Sequence, residues 1–186
     1  MEIIETGFRD LLVIKPDIFK DKRGYFFESY NRSIFFGKGL DYDFVQDNQS
    51  RSVYGVVRGL HYQLEPFAQS KLVRVLTGKI LDIVVDIRTG SPTFGKCYGI
   101  ELSDENNLQL MIPKGFAHGF SILSAEATVL YKTDMFYRPS VERGILYNDP
   151  ALGIDWKIDQ KDIKVSARDM QNSLIRDAEI NFSYKL

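Results

Sequence analysis

The sequence is poor in several features that mark particular classes of protein. It has a single cysteine, Cys97, so no disulfide can form within the chain. Lysine and arginine (24) nearly balance aspartate and glutamate (25), and the formal net charge of -1 argues against broad binding to nucleic acid or to an anionic membrane. The first residues lack the basic and then apolar order of a signal peptide, which predicts a cytoplasmic protein.

Long apolar runs and interdomain linkers are missing as well. The strongest apolar run, 80–87, contains Asp82 and Asp86 and is far shorter than the roughly 20 residues that cross a bilayer. No repeat and no stretch rich in proline, glycine or serine divides the chain. Because 186 residues suit one hydrophobic core better than two, we expect a single domain over residues 1–186.

Short β-rich runs separated by turn residues make up most of the chain. We predict strands at 72–77, 80–88, 97–102, 108–112 and 127–133. Gly78 and Lys79 predict a hairpin between the first two strands. On strand 80–88 one face is apolar, whereas the other carries two aspartates and an arginine and is predicted to meet solvent or ligand.

Helix signals are scarce. Asn31 can cap a short turn around 34–36, and Ser166 can cap a segment over 167–175. Neither supplies a crossover helix for a parallel sheet. Many short strands without such helices favour an all-β sandwich or jelly roll, an architecture whose mouth is a natural site for a small ligand.

Two histidines, His61 and His118, are the candidates for a base that titrates near neutral pH. His61 lies three residues after Arg58, and Lys71 begins the next strand. Residues three apart on a regular strand point to opposite faces, so Arg58 and His61 can share one site only if Gly59 makes a bulge. The alternative is a surface histidine beside a bulge glycine.

A metal site is the main alternative use of these histidines. Jelly rolls of the cupin type often bind a divalent ion through two histidines spaced H-x-H, a third histidine and a glutamate. Gln63 stands where the second histidine of that pair would be. The sequence therefore offers a poor ligand set and predicts no metal site.

Further polar residues have both an ordinary and a functional explanation. Tyr131 is one of ten tyrosines, so packing is its default role. Asp169 completes a capping box that begins at Ser166. Segments 23–28 and 46–49 combine arginine, aromatic and amide side chains that suit a pyrophosphate, a base face and a pyrimidine edge, although each residue alone also fits a solvated loop.

Together, these segments resemble the dTDP-4-dehydrorhamnose 3,5-epimerase family from about Thr6 to beyond Asp169. The motifs that carry the resemblance are RGYFFE (23–28), QDNQS (46–50), RGLHYQ (58–63), KLVRV (71–75), PKGFAHGF (113–120), YKT (131–133) and NDP (148–150). Tyr147 and Lys157 depart from the tryptophan and proline expected there, which affects local packing and not the implied chemistry. The resemblance implies a cupin-type jelly roll with short peripheral helices that works as a homodimer without metal or organic cofactor.

The resemblance also implies an isomerase that inverts C3 and C5 of dTDP-4-dehydro-6-deoxy-D-glucose, giving dTDP-4-dehydro-L-rhamnose in dTDP-L-rhamnose biosynthesis. His61 resembles the base, Asp169 the acid paired with it and Tyr131 the opposing proton donor. Lys71 is the candidate cation for the oxyanion that forms at O4. The implied substrate contacts are Arg23, Phe26, Glu28, Gln46, Asp47, Asn48, Arg58, Lys71, His118, Glu142 and Arg168.

Three alternatives to the double epimerase stay open at the level of sequence. The nearest is an epimerase that inverts only C3 or only C5, or that acts on a related nucleotide-linked 4-keto sugar. The others are a metal-dependent cupin enzyme and a jelly roll that binds a nucleotide sugar without catalysis.

Overall fold

The computed structural model describes residues 1–184. Antiparallel strands dominate this range. In chain order they are β1 (Glu2–Glu5), β2 (Leu12–Lys15), β3 (Phe19–Asp21), β4 (Gly24–Phe26), β5 (Gln46–Val53), β6 (Val57–Gln63), β7 (Lys71–Thr77), β8 (Lys79–Asp86), β9 (Cys97–Ser103), β10 (Gln109–Ile112), β11 (Phe116–Ile122), β12 (Glu126–Thr133) and β13 (Glu142–Gly144). Helix α1 (Arg32–Gly37) and four short 3-10 turns, at Pro139–Val141, Gln160–Asp162, Asp169–Gln171 and Ile175–Asp177, lie at the periphery.

The strands form two facing sheets and a small ribbon. One sheet has the order β1-β2-β10-β7-β12-β5, the other has the order β13-β6-β11-β8-β9, and β3 pairs only with β4. Every named pair is antiparallel. The prediction of an all-β jelly roll with short peripheral helices is confirmed.

Strand β8 explains how the core is divided. Its Ile80 and Val84 pack between the two sheets, whereas Ile83 and Val85 pack on the outer face of their sheet against a layer that includes Trp156. Burying one such aliphatic side chain stabilises the fold by about 1.5–3 kcal/mol. The polar face was expected to meet solvent or ligand; it does not meet solvent, because both faces of this central strand are covered.

The two aspartates of β8 are therefore interior residues and do not face solvent. Asp82 and Asp86 are both 0% exposed. The two carboxylate oxygens of Asp86 accept hydrogen bonds from Nε and Nη2 of the buried Arg88, at 2.9 and 2.7 Å. Asp82 bonds His118. Each charge has a hydrogen-bonded partner, as burial in a core requires.

The predicted hairpin at Gly78 is wrong. β7 and β8 belong to different sheets, so Gly78 carries the chain from one sheet to the other. Gly78 has φ +81, and a Cβ on it would lie 2.2 Å from the carbonyl oxygen of Glu126. The turn residue was recognised correctly, but the pairing partner of each strand is set by distant parts of the chain.

The remaining element predictions have mixed outcomes. The strands predicted at 72–77, 97–102, 108–112 and 127–133 each agree with the observed bounds to within one residue. The side chain of Asn31 caps α1 by accepting the backbone N–H groups of Ser33 and Ile34. No helix in residues 1–184 has the length and apolarity needed to cross a membrane.

The predicted helix over 167–175 is wrong, although its proposed cap is real. Ser166 Oγ accepts the backbone N–H of Asp169 at 3.0 Å, but only the 3-10 turn Asp169–Gln171 follows. Ser173 then forms a parallel bridge to Ile145, which requires extended backbone. Contacts with the sheet thus hold this segment in a shape that the local sequence does not specify.

Candidate active site

A cavity of about 620 Å³ opens between the two sheets. Strands β5, β7 and β12 of the six-stranded sheet and strands β6 and β11 of the other line it, together with the segment 164–169. A second cavity of about 260 Å³ adjoins it and shares Asn48, His61, Lys71 and Tyr131. The cavity lies in the mouth of the jelly roll, where the sequence predicted a ligand site.

The bulge predicted at Gly59 is present and brings Arg58 and His61 to the same cavity. On β11, His118 is opposite His61 and Phe120 is opposite Arg58, so three steps along β6 correspond to two along β11. Gly59 has φ +117, and a Cβ on it would lie 2.5 Å from the Cα of Gly119. Both glycines are needed because the two backbones meet without room for a side chain.

We expect Gly119→Ala to loosen this contact. The new Cβ would lie 2.5 Å from the carbonyl oxygen of Arg58, so the strands must separate, at a cost of about 1–3 kcal/mol of unfolding free energy. Urea denaturation measures the change. Gly37→Ala is the matched control, because nothing lies within 4 Å of a Cβ there. Equal stability of the two variants would contradict a close-packed bulge.

His61 and Asp169 form a hydrogen-bonded pair at the cavity wall. Nε2 of His61 lies 2.7 Å from Oδ1 of Asp169, and the backbone N–H of Gly59 donates to Oδ2 at 3.3 Å. Burial raises the pKa of Asp169, but the hydrogen bonds from His61 and Gly59 outweigh it and hold the pKa below its ordinary value. An ionised Asp169 accepts a hydrogen bond from Nε2–H, and in that tautomer Nδ1 of a neutral imidazole carries the free lone pair.

His118 forms a second pair, with Asp82, deeper in the sandwich. Nε2 of His118 lies 2.9 and 3.1 Å from the two carboxylate oxygens of Asp82. Burial lowers the pKa of His118, against the opposing effect of Asp82 and with a further lowering from Lys71 and His61. His118 is therefore a neutral hydrogen-bonding group at pH 7 and is poorly suited to carry a proton.

Lys71 and Tyr131 stand on the opposite sheet from His61. Nζ of Lys71 lies 6.0 Å from the ring centroid of Tyr131. Burial lowers the pKa of Lys71 to about 8, against the attraction of Asp82 and Glu142, so its ammonium group persists at neutral pH. Burial raises the pKa of Tyr131, which keeps the phenol protonated. A cation and an un-ionised acid thus face the histidine across the cavity.

Glu142 organises the rim of the adjoining cavity. Its carboxylate pairs with Arg168 and accepts a hydrogen bond of 2.6 Å from the hydroxyl of Tyr137. Burial raises the pKa of Glu142, but these two hydrogen bonds outweigh it and hold the pKa below its ordinary value. The sequence interpretation did not include Tyr137, and its position after a strand end carries no distinctive signal.

Gln63 stands where a metal-binding cupin would have the second histidine of its H-x-H pair, and here its side chain hydrogen-bonds the backbone of two loops. Its Nε2 donates to the carbonyl oxygens of Phe67 and Phe136 at 2.7 and 3.3 Å, and its Oε1 accepts the backbone N–H of Arg138 at 2.6 Å. The amide group is thus fully engaged by backbone. Among residues 1–184, His, Cys, Asp and Glu form no group of three or more that could hold a metal ion.

The cavities bring together ten of the residues chosen from the sequence. Eight line the main cavity and two more line the adjoining one: Asn48, Arg58, His61, Lys71, His118, Tyr131, Arg168 and Asp169, then Gln46 and Glu142. Asp82 was missed as a partner of His118, although an aspartate within an apolar strand was a visible signal.

Four of the chosen residues line neither of these two cavities. Asp47 points to the outer face of β5, since neighbouring strand residues point to opposite faces, and it pairs with Lys132 at 2.9 Å. Arg23 pairs with Asp21 on the β3–β4 ribbon, where Phe26 is exposed. Glu28 accepts a hydrogen bond of 3.0 Å from Asn31.

The chain is similar over nearly its whole length to known epimerases of nucleotide-linked sugars. Residues 5–177 match the family model described as dTDP-4-dehydrorhamnose 3,5-epimerase. The chain is 50% identical over 182 residues to the dTDP-4-dehydrorhamnose 3,5-epimerase of Shigella flexneri, covering 97% of this chain and 94% of that one.

Solved structures show the same likeness in three dimensions. A crystal structure of a dTDP-6-deoxy-D-glucose-3,5-epimerase from Legionella pneumophila, in complex with dTDP-4-keto-L-rhamnose, matches with a TM-score of 0.95 at 45% identity, over 100% of this chain and 99% of that one. A 3'-monoepimerase from Streptomyces bikiniensis, in complex with dTDP-quinovose, matches with a TM-score of 0.86 at 30% identity, over 93% of this chain and 87% of that one. The fold therefore occurs in relatives named for one inversion and for two.

Proposed function

The chain belongs to the dTDP-4-dehydrorhamnose 3,5-epimerase family, and we propose that it inverts C3 and C5 of dTDP-4-dehydro-6-deoxy-D-glucose to give dTDP-4-dehydro-L-rhamnose. The observation that carries the proposal is the position of a base and an acid on facing sheets. His61, paired with Asp169, lies on β6, whereas Tyr131 lies on β12, and both line the cavity of about 620 Å³.

Inversion at a carbon requires that one proton leave one face of the ring and another arrive at the opposite face. In the proposed reaction, Nδ1 of His61 takes the proton from a carbon beside the C4 ketone, and the C–H electron pair moves through the carbonyl to O4. Tyr131 then gives its phenolic proton to that carbon from the other face, while the electron pair on O4 returns to re-form the ketone. Exchange with water then removes the proton from His61 and returns one to Tyr131, after which a second round at the other carbon completes the reaction.

The enolate needs a positive partner, because a proton beside a ketone is too weakly acidic for imidazole alone. Preorganised charge aimed at a developing oxyanion lowers such barriers by roughly 3–4 kcal/mol per donor. Lys71 is the proposed donor to O4. Its partly buried position at both cavities, beside Tyr131, supports this role, since an ammonium group acts more strongly where contact with water is reduced.

The pKa of Lys71 predicts an alkaline limit to activity. The ammonium form is the active one, so kcat/KM is expected to fall as the pH rises through about 8, where Lys71 in the free enzyme loses its proton. Lys71→Arg keeps the charge and should move this limit upward by more than one pH unit, even if the rate falls. Lys132→Gln is the control, because Lys132 pairs with Asp47 on the outer face of β12. An unchanged limit in Lys71→Arg would assign it to another group.

The remaining cavity residues suit the nucleotide part of the substrate. Arg58 and Arg168 are proposed to bind the diphosphate, for which a guanidinium fork is well matched. Gln46 and Asn48 supply amide groups for the base or its sugar. His118, neutral and anchored by Asp82, is proposed to contact the sugar.

We also propose a homodimer. The β3–β4 ribbon leaves Phe19 and Phe26 exposed by 66% and 67%, and grouped exposed aromatics mark an interaction surface. Arg23 and Glu28 lie beside them, outside the cavity of their own chain, so their predicted contact with nucleotide would be made in the cavity of a partner. Sedimentation equilibrium should give twice the chain mass for the wild type, and Phe26→Ser should shift the equilibrium to monomer. A monomeric wild type would refute the dimer.

The proposed activity is tested by mass spectrometry of dTDP-4-dehydro-6-deoxy-D-glucose incubated with metal-stripped protein in deuterated water. Gain of two deuterons above a protein-free control is the expected result. Gain of one deuteron would replace the proposal by a single-position epimerase, the activity for which the Streptomyces bikiniensis relative is named. No gain, with dTDP still bound, would favour a binding protein.

A further inference from the structure

Arg58 is an exposed cation on the cavity wall that is held by one side-chain neighbour. Its Nε donates to Oγ of Ser52 at 3.1 Å. Arg168 on the same wall is neutralised by Glu142, whereas Arg58 forms no salt bridge with any residue in 1–184. Its charge is therefore available to an anionic ligand, and its orientation depends on Ser52.

Ser52 lies behind Arg58 and does not itself line the cavity. It is 8% exposed and points inward from β5, on the same face as Asn48 and Ser50, which do line the cavity. A serine in this position reaches a bound molecule only through the arginine that it holds.

The bond to Nε decides which edge of the guanidinium is free. With Nε–H directed at Ser52, the two terminal NH₂ groups of Arg58 keep their four N–H donors for the cavity. A pair of such donors matches two oxygens of a phosphate group. A long arginine side chain also loses rotamer freedom when it binds, and a preformed bond reduces that loss.

We infer that Ser52 is a positioning residue that orients the guanidinium of Arg58 toward the diphosphate of the substrate. The inference rests on the proposed function, because it takes the cavity to be the site of a nucleoside diphosphate sugar. Since the diphosphate is remote from the reacting carbons, the effect falls on binding and much less on the chemical step.

The experiment compares dTDP binding, by calorimetry, and steady-state kinetics in Ser52→Ala, Ser52→Thr and the wild type. Without the bond that orients Arg58, its side chain must be ordered on binding, which should raise the Kd of dTDP and the KM by about five- to tenfold, with kcat changed by less than about twofold. Ser52→Thr keeps the hydroxyl and should restore most of the affinity. Ser121→Ala is the control, because that buried serine bonds the Trp156 carbonyl oxygen at 2.8 Å and does not line the cavity.

A double-mutant cycle with Arg58→Met separates positioning from general support of the fold. If Ser52 acts through Arg58, Ser52→Ala should weaken dTDP binding in the wild type and change it by less than about twofold in Arg58→Met. The same loss in both backgrounds, or no loss in the wild type, would overturn the inference. The dTDP cycle requires no turnover, so a failure of the proposed activity appears separately, as a wild type that binds dTDP but exchanges no protons.

Discussion

His61→Asn is expected to abolish deuterium incorporation at both carbons and to lower kcat by roughly 10²–10⁴-fold, the contribution of a positioned general base. Asparagine is too short to replace Nε2, but Asp169 keeps the hydrogen bond from the backbone N–H of Gly59, so the 164–169 segment retains that contact. Asparagine has no basic lone pair for the substrate, and proton removal is the first step at either carbon.

Affinity for dTDP provides the internal control for this variant, because the nucleotide is proposed to bind through other residues. A His61→Asn protein with wild-type dTDP affinity and no exchange would establish a chemical role. Near-normal exchange would remove His61 from the mechanism, and exchange lost together with dTDP binding would point to a damaged cavity.

Tyr131→Phe is expected to separate exchange from inversion. The variant keeps the ring that packs beside Lys71 but lacks the phenolic proton, so the enolate forms and is reprotonated from the face of His61. Deuterium should therefore still enter the substrate, while net epimerisation slows by roughly 10²–10⁴-fold. The ratio of deuterium incorporation to product, followed by mass spectrometry and chromatography, reports this directly.

Tyr98→Phe is the matched control for Tyr131→Phe. Tyr98 lies on β9 and packs edge-on against Phe8, with ring centroids 6.0 Å apart, outside both cavities. It should retain both exchange and inversion. Equal loss of the two activities in Tyr131→Phe would mean that Tyr131 contributes to enolate formation and does not act as a separate donor.

The sequence carried enough information for five of the strands and for most of the cavity wall. Alternating polarity and turn residues mark these strands locally, whereas the short strands β1 to β4 and β13 were not predicted. Arg58 and His61 would point to opposite faces of a regular strand, and this indicated the bulge at Gly59. Motif resemblance then selected Lys71 and Tyr131, which spacing alone would not have singled out from the other lysines and tyrosines.

The errors arose where distant contacts decide the outcome. Gly78 is a turn, but which strand β7 pairs with depends on β10 and β12, far along the chain. The substrate contact of Asp47 stays a prediction, although strand alternation turns this residue away from Gln46 and Asn48 and toward Lys132. Ser166 caps a turn as expected, but contacts with the sheet stop the helix.

If His61 and Tyr131 form the proposed catalytic pair, their location on different sheets makes the separation of the sheets a catalytic parameter. Strands β6 and β12 belong to different sheets. The distance between His61 and Tyr131 therefore depends on the thickness of the apolar layer between the sheets, which includes Val129 and Phe120. Close-packed interiors resist compression and transmit small changes of volume. Under the proposed mechanism, buried residues of this layer such as Val129, which does not line the cavity, would act as a spacer that sets the distance between the two proton carriers.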